Sequence, residues 1–211
     1  MRILTVSPDQ YERHRDFLRQ MHRLRATVFG GRLAWDVSIT AGEERDQYDD
    51  CSPTYLLAIA DGGQVAGCVR LLPASGPTML EQTFPQLLDP GSLRPHSGMV
   101  ESSRFCVDTS LVSQREASQL HLATLTLFAG IIEWSMASGY NEIVTATDLR
   151  FERILKRAGW PMQRLGEPAP IGNTIAIAGS LPADRESFEQ VCPQGYHSTT
   201  QIVGSLLRSA A

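Results

Sequence analysis

From Glu116 to Ser138 the chain is strongly apolar over the length of a long helix, and it stops at Gly139. Such a helix must be packed on a sheet rather than left in water. A strand-like stretch, Glu142–Thr147, follows, then a helical stretch from about Leu149 to Ala158 closed by Gly159. Glycine just past the last helical residue accepts the left-handed backbone that ends a helix. Upstream, Met99–Val107 alternates as a strand would. These elements predict an α/β architecture, a mixed sheet with helices on both faces.

The rest of the chain adds to that sheet. Ile3–Val6 reads as a strand, and Ser7-Pro8 as a helix start, with Ser capping and Pro in the first turn. Phe17, Leu18, Met21, Leu24 and Val28 keep helical spacing, which puts Arg25 and Phe29 one turn apart near the helix end. Gly30–Pro53, rich in Gly, Asp and Glu with little periodicity, reads as a long ordered loop. Thr54–Ala60 and Val65–Leu72 flank Asp61-Gly62-Gly63 as a hairpin, with Arg70 on the second strand. A Pro-rich connection then leads to Met99–Val107. There Glu101 and Arg104, three residues apart, face opposite sides unless the strand is bulged. Ile175–Ala178 is expected as a further strand and Ala183–Gln190 as a short helix. No break separates domains, so a single domain over residues 1–211 is expected.

A formal net charge of -4 leaves no global basic field for nucleic acid. The four-residue apolar run at the N-terminus is too short for a signal peptide, and no apolar stretch reaches membrane-spanning length, which points to a cytoplasmic protein with no membrane partner. Cys51, Cys68, Cys106 and Cys192 fit neither a CxxC pair nor a metal knuckle and read as buried reduced thiols. The histidines are dispersed without HxxxH or HExxH spacing, so no metal site is expected, and His121 reads as a packed core histidine. No GxSxG elbow or phosphate loop is found.

Chemistry concentrates in two stretches, Arg25 to Asp49 and Arg70 to Arg104. They hold Arg25, Phe29 and Trp35, then Glu44, Asp46, Tyr48 and Asp49 in EERDQYD, then Arg70, Phe84, and Glu101 with Arg104 in ESSRF. Crowded carboxylates raise one another's pKa, and a cationic ligand would relieve them. Aromatics beside carboxylates suit an onium ion, and arginine is the fork for a substrate carboxylate. Each group also has a plainer reading, as solvated acidic loop, core aromatic or structural ion pair.

On these residues the chain resembles the acyl-homoserine-lactone synthases of the LuxI-type autoinducer synthase family. The likeness runs through MHRLRATVFGGRLAWDVS, EERDQYD, YLLAIADGGQVAGCVRLLP, GPTMLEQTFPQLL and VESSRFCVD, and more weakly through IVTATDLRFERILKRAGW, to about Gly166. Arg25, Phe29, Trp35, Asp46, Asp49, Arg70, Phe84, Glu101 and Arg104 all match the family's characteristic positions.

The resemblance implies a fold related to the GNAT N-acetyltransferases, three layers in α-β-α order. It also implies acyl transfer from a thioester to the amine of S-adenosylmethionine, then lactonisation with release of methylthioadenosine, making a quorum-sensing signal. S-adenosylmethionine would be a substrate, and no cofactor is expected. Glu101 is the first choice of base and Asp46 the second. Phe29, Trp35, Ser103 and Phe105 would surround the substrate, Arg104 hold its carboxylate and Asp46 its ammonium, with Arg25, Arg70 and Asp49 as ion-pair framework. Met79, Phe84, Leu122, Leu125 and Thr147 are the acyl-pocket candidates. Arg150, Arg153, Lys156 and Arg157 would dock an acidic acyl-carrier protein, acyl-CoA being the alternative donor. Two other readings are weaker. An acetyl-CoA-dependent N-acetyltransferase would carry an R/Q-x-x-G-x-G/A loop, where this chain has DLRFER. A binding protein that kept only the fold would be expected to lose a charged member.

Overall fold

A computed structural model of the chain describes residues 1–32, 35–108 and 117–200. In chain order its elements are β1 (Arg2–Val6), α1 (Arg15–Arg25), β2 (Ile39–Thr40), β3 (Glu43–Glu44), β4 (Thr54–Ile59), β5 (Val65–Pro73), α2 (Met79–Gln82), β6 (Met99–Val107), α3 (Ala117–Ala137), β7 (Glu142–Asp148), α4 (Leu149–Arg157), β8 (Gln163–Arg164), β9 (Ala169–Ile171), β10 (Thr174–Pro182) and α5 (Arg185–Val191). Glu116, the predicted first residue of α3, and the side chain of His121 lie outside the described residues.

The main sheet runs β1-β4-β5-β6-β7-β10-β8, with β9 also on β10, and residues 197–199 hydrogen-bond along β1. All pairs are antiparallel except β6 with β7, the crossover carried by α3. Both faces are covered, so central strands read as continuous apolar runs rather than alternating ones. In β4, Tyr55, Leu57 and Ile59 pack with Leu18, Met21 and Leu24 of α1, while Leu56 and Ala58 pack with Leu127 and Ile131 of α3. The hairpin turns at Gly63, and Gly139 and Gly159 follow α3 and α4, each with φ near +84°.

Several expectations are revised. Ser7-Pro8 starts only a short 3-10 turn, Pro8–Gln10, and α1 begins at Arg15. Gly30–Pro53 is not a plain loop. It holds the end of a π-helical turn (Ala26–Arg32), the β2–β3 hairpin turning at Ala41 and Gly42, and a 3-10 turn, Gln47–Cys51. Cys51 is exposed and Cys192 half-buried, so burial holds for Cys68 and Cys106 alone; all four are free thiols. Cys68 and Cys106 sit opposite each other on β5 and β6 with their Sγ atoms 3.4 Å apart.

Two features of β6 position the site. Its pairing with β5 shifts register between Cys68 and Arg70, and the extra residue, Arg104, has φ +55°. That bulge settles the question of orientation: Glu101, Ser103 and Arg104 all serve the face that α1 covers. The second feature is a fork. β6 and β7 pair only at Met99–Glu101 with Glu142–Val144 and then diverge, the Thr145 hydroxyl donating to the Ser102 carbonyl at 2.7 Å where they part.

Candidate functional site

Glu44 ends β3, and the turn behind it presents its own carboxylates: Asp46 accepts from the Tyr48 N–H at 2.9 Å, and Asp49 from the Asp46 N–H at 2.9 Å. This reciprocal cap fixes both side chains before any partner arrives. Arg25, at the end of α1, meets Asp49 with two parallel bonds of 2.8 Å and donates its Nε to Glu44. Arg70 binds Asp46 and Asp49, donates to Ser103 Oγ at 3.1 Å, and lies over the Tyr48 ring. Arg104 reaches Glu44 at 3.1 Å and Asp46 at 2.8 Å with its guanidinium 5.3 Å from the Phe29 ring centre.

Arg25, Arg70 and Glu44 are wholly buried. Charges taken out of water persist only when paired and hydrogen-bonded. Burial would raise the Asp49 carboxyl, but the Arg25 bonds and the Arg70 charge outweigh it and hold it well below the usual carboxylate range. The expectation that a cationic ligand relieves the crowded acids is thus corrected: three arginines of the chain itself do so. Glu44, named among the crowded acids but assigned no role, joins Arg25 to Arg104.

Glu101 stands apart from this network. Buried on β6, it accepts the N–H groups of Met79 and Leu80 at 3.0 and 2.7 Å, capping α2. Burial pushes its carboxyl up, against the pull of those two donors. Phe29 and Trp35 stack at 5.3 Å, and the buried Trp35 indole N–H has no hydrogen-bond partner among the described residues.

A cavity of about 170 Å³ begins among Phe29, Trp35, Glu101, Ser103 and Arg104 and passes through the β6–β7 fork. On the far side it is walled by Phe128, Phe151, Leu155 and Trp160 and by Phe105, which packs with these rings rather than at its predicted place beside Phe29 and Trp35. The space exists because the strands part: a fully paired sheet would leave no route from one face to the other. Of the acyl-pocket candidates, Met79, Phe84 and Thr147 line it. Leu122 and Leu125 do not; the α3 wall is formed by Phe128 and Ile131, further along the helix. Arg25, Asp46, Asp49 and Arg70 lie behind the cavity rather than on it. Arg150, Arg153, Lys156 and Arg157 are all exposed on α4. Thr145 and Trp160 escaped notice, since only the fork's tertiary geometry brings them to the site. Among the described residues no His, Cys and carboxylate group could hold a metal ion, and no helix is long and apolar enough to cross a membrane.

The model of the family described as autoinducer synthase matches residues 9–191. The acyl-homoserine-lactone synthase of Agrobacterium fabrum is 83% identical over 211 residues, with all of both chains covered. The CoA-dependent acyl-homoserine lactone synthase BjaI, solved with SAM and isopentyl-CoA, matches at a TM-score of 0.81 and 26% identity, over 94% of this chain and 93% of that one. An acyl-CoA N-acyltransferase from Pseudomonas aeruginosa matches at a TM-score of 0.52 and 15% identity, over 85% of this chain and 99% of that one, a likeness of fold alone. With its mixed sheet opening at the β6–β7 fork beside a buried charge network, the present chain belongs to the autoinducer synthase family.

Proposed function

We propose that the chain acylates the amine of S-adenosylmethionine with an acyl group from a thioester carried on an acidic acyl-carrier protein. The amide product then closes to the lactone. In the first step the amine, having lost a proton, attacks the thioester carbonyl and the thiol leaves. In the second the substrate's own carboxylate displaces methylthioadenosine from the sulfonium carbon. No electrons are exchanged with an outside group.

One observation carries this reading: a single cavity joins a charged, aromatic end to an apolar one through the fork. A zwitterionic sulfonium fits the first and an acyl chain the second. Phe29 and Trp35 would enclose the methionyl and sulfonium part, with the unpartnered Trp35 N–H offering a donor. Arg104, held over Phe29, would hold the carboxylate, and Asp46 would orient the ammonium. Glu101 is favoured as base, directly or through a water, because it lines the cavity and is in no ion pair among the described residues, whereas Asp46 is engaged by two guanidinium groups. Backbone N–H groups near Ser103 and Arg104 would meet the oxyanion. Met79, Phe84 and Thr147 would contact the acyl chain, the Thr147 hydroxyl suiting chains oxygenated at the third carbon. The exposed cations Arg150, Arg153, Lys156 and Arg157 favour an acidic protein as donor.

The test is incubation with isotope-labelled S-adenosylmethionine and a panel of acyl-carrier-protein and acyl-CoA thioesters, with products read by mass spectrometry. A labelled acyl-homoserine lactone with methylthioadenosine is expected from the carrier-protein thioesters. Neither product from protein that binds S-adenosylmethionine would overturn the reading.

A further inference from the structure

Helix α4 has two different sides. Phe151 and Leu155, four residues apart, line the cavity. Arg150, Arg153, Ile154 and Arg157 share the outer side at spacings of three and four. Ile154 is 41% exposed, in the middle of that arginine ring. Glu152 is drawn aside by Arg164, at 2.7 and 2.9 Å, so its charge is met there.

Helix stability does not account for this face. Lys156 and Arg157 in the last turn favour the helix dipole, but Arg150 sits in the first turn, where a positive charge opposes it. A second exposed isoleucine stands close by in the fold. Ile175, 46% exposed, precedes Ala176, which pairs with Asp148, the N-cap of α4. Residues on β10 alternate faces, so Ile175 shares the face of Ile177 and of Thr147 opposite it. Thr147, Asp148 and Thr174 all line the cavity. The large apolar side chains exposed among the described residues are thus Ile154 on α4, Ile175 on β10, the strand that α4 contacts, and Ile39 elsewhere in the fold.

We infer that Ile154 and Ile175 are apolar anchors of the docking surface, inserted into an acidic carrier protein whose carboxylates meet Arg150, Arg153 and Arg157. This rests on the carrier-protein reading above and deepens it. A coenzyme A donor brings phosphates that the arginines could meet, but it gives exposed isoleucines nothing to bury. A protein partner uses both, since interface energy concentrates in a few desolvated apolar anchors inside a polar rim. The anchors also explain how a surface helix can report to the acyl site: the same nine-residue helix presents Ile154 to the partner and Phe151 and Leu155 to the cavity.

The experiment compares one acyl group on the carrier protein and on N-acetylcysteamine, a carrier too small to reach the outer side of α4. Ile154→Asp should raise KM for the acylated carrier about tenfold with kcat held, leave kcat/KM on the small thioester unchanged, and be rescued by Ile154→Leu. An unchanged KM in Ile154→Asp, where Arg153→Glu raises it, overturns the inference while the docking reading stands. No effect from either substitution overturns both. Loss on both donors would make Ile154 a support of the cavity wall and likewise overturn the inference.

Discussion

The two ends of the cavity are built on opposite plans. At the polar end, Arg25, Arg70 and Arg104 share Glu44, Asp46 and Asp49 in a buried set where each charge has two partners. At the apolar end, Phe105, Phe128, Phe151 and Trp160 meet ring against ring at 4.7 to 5.7 Å, with no charge involved. A paired buried charge cannot lose its partner cheaply, whereas an apolar wall tolerates exchanges that keep its volume. One end is thus fixed in geometry, and the other is free to vary in shape.

The largest test of that contrast is Arg25→Ala, which takes one of the two arginines from both Glu44 and Asp49 and should cost about 3–5 kcal/mol in denaturant titration. Leu155→Met at the apolar end should cost less than about 1.5 kcal/mol. Equal costs would erase the distinction. Next, Glu101→Gln should lower turnover by about 10²–10⁴-fold while S-adenosylmethionine binding, read by calorimetry, holds. Full turnover would remove Glu101 from the mechanism and leave it as the cap of α2.

A pH dependence should also belong to the polar end. His22, its Nδ1 2.9 Å from the Glu44 carbonyl, is pushed down to about 4 by burial first and then by the Arg25 charge. The unfolded chain then binds a proton that the folded one refuses between roughly pH 6.5 and 4, so stability should fall as pH drops through that window, by at most about 3 kcal/mol. His22→Gln should flatten the curve there, and an unchanged slope would place the titrating group elsewhere. The smallest effect is expected at the boundary between the ends. Thr145→Val removes the bond to the Ser102 carbonyl and should cost about 1 kcal/mol in stability. A larger loss would mean that this hydroxyl, rather than the strand pairing, sets the fork.

Much of this was legible from residues alone. The α3–β7–α4 run and the β4–β5 hairpin announce themselves because apolar periodicity, glycine stops and a turn all agree. β2, β3 and α2 do not, since two to four residues carry no period. At the site, residue types exposed the charged groups, but pairing followed from tertiary placement. Asp46 and Asp49 looked like acids awaiting a ligand because their arginines lie 21 to 24 positions away, or on β6. Leu122 and Leu125 were reasonable wall residues by apolar type, yet the rotation of α3 against the fork puts Phe128 and Ile131 there. The Cys68–Cys106 contact was hidden for a related reason: it depends on the register shift at Arg104.

That register shift also bears on how the molecule comes together. Arg25, the turn from Glu44 to Asp49, Arg70 and Arg104 arrive from four separate stretches of chain, and Arg104 does so only once β6 has taken its left-handed step. Burying any one of these charges ahead of the others would leave it uncompensated, at a cost of several kcal/mol against the roughly 5–15 kcal/mol by which most proteins stay folded. Half-built versions of the polar end are therefore disfavoured. The network should form cooperatively, so that a folded molecule has its arginines in place.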